Sequence, residues 1–497
     1  MAYDYDVLVL GGGAAGLTAA GVAVNLGASA AMVEHDRLGG DCTWTGCIPS
    51  KTLLKAAEVA HQAASASLYG LADTPIPVDF SALMRHVRGV REHVYADADA
   101  PPIFEAMGVA VRHGRARFVD AHSVEIEGEG GEVERVSGRY VVIATGGRPA
   151  VPPVPGLSGV PFLTTETLFE IEDQPARLGV LGGGPIGVEM AQAFRRLGSE
   201  VTVLDRGPRI LGKDDPDLAG YLQEQLEGEG VRFLFGAEVE RVERDPSIGS
   251  GQAGDRIVIA VKGVSDRIVV DALLVAAGRR PNVEGLGLDA AGVVYTPKGV
   301  TVDAHGRTSV KHVYAVGDVT GQFAFTHMSE HTAKVAVTHA LLRLPMKVDA
   351  AHLPWVTYTD PELAHVGATA ASLEEAGTAF ETYRFPYDRL DRAITEGAAV
   401  GEVRVYATTW RGKVLGATVL GSRAGELIGE LALAMRHGIS LRQISDTIHP
   451  YPTYGLGVRR AADQWYARRQ SARLTRLVQR VFGYRGPAHG HKPGRIV

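Results

Sequence analysis

The chain has 497 residues, more than one hydrophobic core accommodates, so several domains are expected. Hydrophobic residues make up 45% and charged residues 22%, the composition of a soluble globular protein. The net charge of −6 gives no basis for a nucleic-acid partner, and two cysteines exclude a disulfide-stapled secreted scaffold and suit a reducing cytoplasm.

Residues 5–10 read as a short apolar strand, and Gly11-Gly12-Gly13-Ala14-Ala15-Gly16 opens an alanine-rich helix. A second strand over residues 29–33 ends on Glu34. In this G-x-G-x-x-G pattern Gly11 makes the turn, Gly13 admits a pyrophosphate, and Gly16 lets helix and strand pack closely. Glu34 stands where an acid accepts hydrogen bonds from a ribose. No charge occurs between Val7 and Val33, yet six glycines interrupt that run and acids rather than bases precede it. Neither a membrane span nor a targeting segment is expected there.

The stretch Gly39-Gly40-Asp41-Cys42-Thr43-Trp44-Thr45-Gly46-Cys47-Ile48-Pro49-Ser50-Lys51 holds both cysteines, five positions apart. On one regular helix such residues point about 140° apart, too far round for an unstrained disulfide. Gly46 supplies a flexible link, Pro49 suits the first turn of a helix, and residues 50–67 read as that helix. Cys47 then sits where unpaired N–H groups and the positive helix end stabilise a thiolate. Free cysteine also fills small core sites. The flanking glycines and Lys51 favour a reversible redox disulfide instead.

This segment resembles the active-site signature of the FAD-dependent pyridine nucleotide-disulfide oxidoreductases, which include lipoamide dehydrogenase, glutathione reductase and mercuric reductase. The resemblance implies that Cys42 is the interchange thiol, Cys47 the thiol facing the flavin, and Lys51 a lysine near flavin N5. It also implies an α/β fold with two Rossmann-like dinucleotide-binding domains, an α+β dimerisation domain, and the cofactors FAD and NADH or NADPH.

Helical patterns follow over residues 50–67 and 81–98, then short strands over 109–127 and 133–144. Thr145-Gly146 resembles the family's chain crossing beside the cofactor. The proline-rich run from Arg148 to Pro161 reads as an interdomain connection. A second glycine loop, Gly182-Gly183-Gly184-Pro185-Ile186-Gly187, precedes a helix and a strand ending on Asp205. First glycine and acid are 23 residues apart in both copies (11 to 34, 182 to 205), so the chain is built to juxtapose two dinucleotides. Asp205 favours a ribose 2′-hydroxyl, whereas the adjacent Arg206 is placed to hold a 2′-phosphate; NADH is the favoured expectation. Glu189, on the helix after Gly187, has apolar neighbours, and the resemblance pairs it with Lys51 near flavin N5.

Strands over 256–262 and 267–276 lead to Gly278-Arg279-Arg280-Pro281-Asn282, another stretch resembling the family. Asp318, closing Val313-Tyr314-Ala315-Val316-Gly317-Asp318, resembles the family aspartate that binds the FAD ribitol. The next helix begins near Thr326, so its positive end is expected to face the flavin N1–O2 edge. His327 is assigned no proton chemistry.

From residue 350 strands are expected over 354–358, 364–367, 381–385, 402–408 and 413–420, with a helix over 424–437. Tyr358-Thr359-Asp360-Pro361-Glu362-Leu363-Ala364-His365-Val366-Gly367 resembles the opening of the family's dimerisation domain, which completes the partner subunit's active site. The expected domains are 1–150 with 277–349 for FAD, 151–276 for NAD(P), 350–466 for dimerisation, and a basic tail over 467–497.

Lipoamide dehydrogenases and glutathione reductases end this domain with His-Pro-Thr followed by Glu, an acid/base histidine and the carboxylate that orients it. Here the chain reads Ile448-His449-Pro450-Tyr451-Pro452-Thr453-Tyr454-Gly455-Leu456. Tyr451 takes the histidine position, Leu456 the glutamate position, and His449 falls two residues early. A phenol is a poor base at neutral pH. Mercuric reductases also place a tyrosine here, but their carboxy-terminal cysteine pair is missing from this chain.

Residues 467–497 carry seven arginines and one lysine with no acid. Leu474, Leu477, Val478, Val481 and Phe482 recur at helical spacing. The expectation is an amphipathic helix packed on the enzyme's own surface, with docking on an anionic membrane or a partner as the alternative, and a flexible end over 483–497.

These features together predict a cytoplasmic homodimeric flavoenzyme passing electrons from NAD(P)H through FAD and Cys42–Cys47 to an external acceptor. A disulfide, a thiol-bound metal ion and a quinone-like oxidant all remain open as acceptor. The rival expectations are a dihydrolipoamide dehydrogenase of a 2-oxoacid complex, and a flavin-bearing redox sensor acting through the basic tail.

Overall fold

The computed structural model describes residues 3–245 and 256–487. It divides into two units, Met1–Ser65 with Asp73–Gly207 and Val231–Val348, and Ala66–Ala72 with Pro208–Gly230 and Asp349–Val497. From residue 488 the tail lies outside the described residues.

In the first unit the elements that position functional residues are β1 (Tyr5–Leu10), α1 (Ala14–Asn25), β2 (Ala30–Glu34), α2 (Gly40–Trp44), α3 (Cys47–Ala64), β3 (Val109–His113) and β4 (Val133–Ile143). They continue with β5 (Arg177–Leu181), α4 (Pro185–Arg196), β6 (Glu200–Leu204), β7 (Arg232–Leu234), β8 (Ala272–Val275), β9 (Val313–Ala315) and α5 (Thr326–Leu342).

One parallel sheet runs β3–β2–β1–β4, and β9 joins the far side of β4. Register sets Val7 beside Ala30 on one side and beside Tyr140 on the other. The apolar run over residues 7–10 of β1 is explained by burial on both faces, since parallel sheets are covered above and below. Val7, Val9 and Met32 pack with alanines of α1 and α5, while Leu8, Leu10 and Val33 pack into the opposite layer. A second parallel sheet, β7–β6–β5–β8, repeats the arrangement around the second glycine loop.

Two helix boundaries depart from the periodicity. The helix expected over 50–67 spans Cys47–Ala64, because the chain breaks at Gly46 and Pro49 is tolerated in a first turn whose N–H groups have no helical partner. The helix expected over 81–98 spans Phe80–Val94, capped by Asp79, and continues into a π-helical turn over Tyr95–Asp99.

The second unit is built on an antiparallel sheet of β10 (Pro354–Thr357), β11 (Glu362–Gly367), β12 (Phe380–Pro386), β13 (Glu402–Thr408) and β14 (Val414–Gly421), ordered β10–β11–β14–β13–β12. Helices α6 (Ala424–His437) and α7 (Gly455–Arg469) pack on it, and α8 (Ala472–Phe482) follows. Within this unit Asp215 caps helix Pro216–Gly228 by accepting from Asp217 and Leu218 N–H at 3.1 and 3.2 Å. Its carboxylate also receives Arg404 at 2.8 Å and the Tyr406 hydroxyl at 2.7 Å.

Burial alone would raise the Asp215 carboxyl, but Tyr406 and Arg404 outweigh it and hold it below its ordinary value. A depressed carboxyl contributes stability above its unfolded pKa of about 4, lost as the pH falls through the lower folded value. Replacing Arg404 by Met leaves a buried carboxylate unpaired, a change worth about 3–5 kcal/mol. We expect a lower thermal midpoint at neutral pH in Arg404→Met, with the gap from wild type closing on acidification below the carboxylate range. Equal midpoints at neutral pH would show the pair contributes nothing.

Candidate active site

Both glycine loops are built alike down to single hydrogen bonds. In the first, Gly12 N–H donates to Glu34 Oε2 at 2.6 Å, while His35 and Asp36 N–H donate to Oε1 at 2.7 and 2.9 Å. In the second, Gly183 N–H donates to Asp205 Oδ2 at 2.5 Å and Gly207 N–H to Oδ1 at 2.6 Å. Burial raises the Glu34 carboxyl, but the bonds from His35, Asp36 and Gly12 prevail and keep it below its ordinary range.

A Cβ on Gly16 would lie 1.8 Å from Gly11 O, and one on Gly187 would lie 1.9 Å from Gly182 O. No other residue fits where helix meets strand. Gly13 and Gly184 are N-caps without a side-chain cap, and a Cβ on Gly184 would meet nothing within 4 Å. The helix after Gly184 therefore presents N–H groups over open space, and at Gly13 a Cβ would meet only Gly40 Cα at 3.6 Å; such a helix start is the donor set that a pyrophosphate requires.

The cysteines lie on consecutive helices, one short and one long. Cys42 is in α2 and Cys47 begins α3, the break falling at Thr45 and Gly46. Gly46 is obligatory, since a Cβ there would approach Asp41 O to 2.8 Å. Both cysteines are free thiols, and Cys47 Sγ lies 3.5 Å from the Thr326 hydroxyl at the first turn of α5. The Cys42 thiol bonds to Cys47 sulfur, which lowers the Cys47 thiol to about 6; burial opposes this, while Thr326 and Lys51 reinforce it. The same bond, with burial, pushes Cys42 well above its ordinary value, and Asp99 adds to the rise. The Cys47 thiol thus lies lower than that of Cys42.

Lys51 Nζ donates to Glu189 Oε2 at 2.8 Å, joining α3 to α4. Glu189 is buried, so its charge is paired where burial is most costly. Asp318 accepts from Arg279 Nε at 3.3 Å; the same guanidinium bonds Gly147 O at 2.9 Å and pairs with Asp41. Burial raises the Asp318 carboxyl, with Arg279 working against the rise. Thr145 and Asn282 exchange side-chain-to-backbone bonds, both at 2.9 Å, and Gly146 and Gly278 take positive φ of 67° and 125°. Arg206 is exposed, and its charge acts on Glu238.

Within the second unit, His449 Nε2 faces Glu430 Oε1 and Nδ1 faces Thr447 O, both at 3.0 Å. Tyr451 is 69% exposed, and a bond to Asp391 raises its hydroxyl above the ordinary value. Leu456, at the position of the family glutamate, is buried in the core of this unit. Sequence reading missed Thr326, Arg279 and Glu430 as site residues. Only position in the chain marked the first two, at a helix start and in a turn that resembles the family's; nothing local marks Glu430.

The pyridine nucleotide-disulphide oxidoreductase profile matches residues 5–340, and the profile of that family's dimerisation domain matches 353–462. The chain belongs to this family. Curated relatives include a mercuric reductase of Lysinibacillus sphaericus, 34% identical over 92% of this chain and 82% of that protein. They also include a dihydrolipoyl dehydrogenase of Thermus scotoductus, 35% identical over 92% of this chain and 97% of that one. Among solved structures, LpdA of Mycobacterium tuberculosis superposes with a TM-score of 0.85 at 26% identity, covering 92% of this chain and 99% of that one. The copper(II) complex of the HOCl-induced flavoprotein disulfide reductase RclA of Escherichia coli superposes at 0.82 and 26% identity, covering 93% and 100%. As a member of this family the protein is a flavoprotein enzyme working with FAD and NAD(P)H, and its dimerisation domain provides for a homodimer.

For this oxidoreductase the thiol pair sets a spectroscopic expectation. In the two-electron-reduced enzyme the long-wavelength absorption of a Cys47 thiolate against flavin should be full at pH 8 and fade as the pH falls through about 6. Cys42→Ser should show it without added reductant and Cys47→Ser should lack it; the reverse pattern would exchange the two thiols' roles.

Proposed function

We propose that this enzyme takes hydride from NADH and delivers the electron pair, through the Cys42–Cys47 dithiol, to a thiol-binding metal ion, in the manner of a mercuric reductase. The observation that carries this reading is the pair of positions Tyr451 and Leu456. An exposed phenol stands in the place of the family histidine, and a core leucine in the place of its glutamate. Substrates that depend on a histidine base are therefore disfavoured. The copper(II) complex of RclA and the several mercuric reductases among the relatives support a metal ion as acceptor.

In this reading Gly11, Gly13, Gly16, Glu34 and Asp318 hold FAD, while Gly182, Gly184, Gly187 and Asp205 hold the nicotinamide dinucleotide. Bound FAD supplies the two-electron link between nicotinamide and disulfide. Lys51, ion-paired with Glu189 at 2.8 Å, offers its ammonium to the developing negative charge beside Cys47. Cys47 stays a thiolate, and Cys42 is the sulfur that meets the acceptor. Asp205 accepts two backbone N–H groups and favours NADH, and Arg206, exposed beside it, is the residue through which NADPH would be used.

A dihydrolipoamide dehydrogenase is the second reading, favoured by the His449–Glu430 pair, which has the right residue types. Both His449 nitrogens already face oxygen, however, leaving neither to accept a proton from a thiol. Comparing dihydrolipoamide with mercuric–thiol adducts in wild type, Tyr451→Phe and His449→Ala separates the two. General-base help is worth typically 10²–10⁴-fold, so we expect dihydrolipoamide kcat/KM to be low by that margin and indifferent to His449→Ala. Fast dihydrolipoamide turnover that collapses in His449→Ala would replace the first reading by the second.

Arg206→Ala should raise the KM for NADPH about ten- to a hundred-fold, the value of one charge-assisted hydrogen bond, and leave that for NADH unchanged. An unaltered NADPH KM would return Arg206 to the solvated surface.

A further inference from the structure

We propose that helix α8 docks this enzyme on an anionic membrane surface. The helix is fully specified by its own sequence. Ser471 caps it by accepting from Leu474 N–H at 3.1 Å, and Gly483 ends it in the left-handed conformation. On its circumference Leu474, Leu477, Val478, Val481 and Phe482 occupy one arc of about 140°, at 100° per residue. Arg473, Arg476 and Arg480 fill the arc immediately beside it, all three exposed.

The stripe, which a helix folded onto its own enzyme would bury, is 36–65% exposed in all five residues. Exposure alone does not name the occupant; the charge does. The whole chain carries −6, and residues 467–497 carry +8, which leaves −14 on the first 466 residues. On a body of that sign, this basic, half-apolar carboxy-terminal segment concentrates the charge that complements an anionic surface. Arg468 and Arg469 do not belong to the docking face, since they bond Thr382 O and Tyr383 Oη within the unit.

A second copy of the helix is a poor occupant, because antiparallel pairing along the stripe brings arginine rims against each other. A nucleic-acid backbone would use the arginines but has no use for five apolar side chains. An anionic bilayer satisfies both arcs: the stripe sinks to the acyl boundary, and the arginines stay at the headgroups with their stems against the apolar edge.

The test is flotation of the full-length holoenzyme with vesicles of phosphatidylglycerol and phosphatidylcholine in equal parts, beside vesicles of phosphatidylcholine alone. We expect flotation on the anionic vesicles only, lost at high salt. The triple variant Arg473→Gln, Arg476→Gln, Arg480→Gln should partition up to about 150-fold less, at about fivefold for each arginine near the surface. Leu477→Glu with Val481→Glu should also abolish flotation while leaving NADH-driven flavin reduction at the wild-type rate. Failure of the wild type to float on anionic vesicles overturns the proposal. So does flotation that survives the glutamate variant, which would make the helix a plain polycation. Dissociation of the native assembly in that variant would make it a subunit contact, and also overturns it.

Discussion

The redox site depends on the inequality of its two sulfurs. The Cys42 thiol is pushed up and the Cys47 thiol lowered, so negative charge in the dithiol favours Cys47. The asymmetry follows from where the chain breaks. Gly46 permits α2 and α3 to abut, which brings sulfurs five residues apart together without forcing both onto one helix. Placing Cys47 rather than Cys42 at a helix start exposes it to bare N–H groups, to Lys51 and to Thr326. The Lys51–Glu189 pair then ties this helix start to the helix of the second glycine loop, so the two dinucleotide sites share a structural strut.

What was legible in the chain was whatever local chemistry demands. Gly16 and Gly187 are required by a carbonyl that would lie under 2 Å from any Cβ, and such a demand leaves a fixed pattern in sequence. The parallel sheets were legible for a similar reason, since strands buried on both faces read as unbroken apolar runs. The start of α3 was misplaced by three residues because proline marks a first turn without saying which position of it. Arg279 and Glu430 were invisible as site members. Their partners, Asp41 and Asp318 for the one and His449 for the other, lie 238, 39 and 19 residues away, and no periodicity connects them.

The helix α8 shows a different limit. Its spacing predicted an amphipathic helix, and it forms as one, but amphipathicity does not say what the apolar side meets. The natural expectation of self-packing assumes that a body always covers its own apolar surface. Here the stripe remains exposed on the chain's one strongly basic segment. Charge segregation of this kind is information about a partner rather than about the fold.

The thiol pair also bears on the acceptor. A Cys42 thiol held well above its ordinary pKa is a poor nucleophile until something removes its proton. A disulfide substrate leaves that task to a base, and the family's base position holds Tyr451, whose hydroxyl is itself raised by Asp391. A soft metal ion needs no such base, because coordination by sulfur displaces the thiol proton directly. The metal's affinity for thiolate supplies the driving force that a histidine would otherwise provide. Among the described residues no cluster of three or more metal-ligating side chains stands ready to compete for the ion. In the proposed reading Cys42 would capture the ion, and the disulfide would re-form as the electron pair passes to the metal. A site with an intact thiolate and no histidine at the family's base position is consistent with this chemistry, in which proton removal and substrate binding are one event.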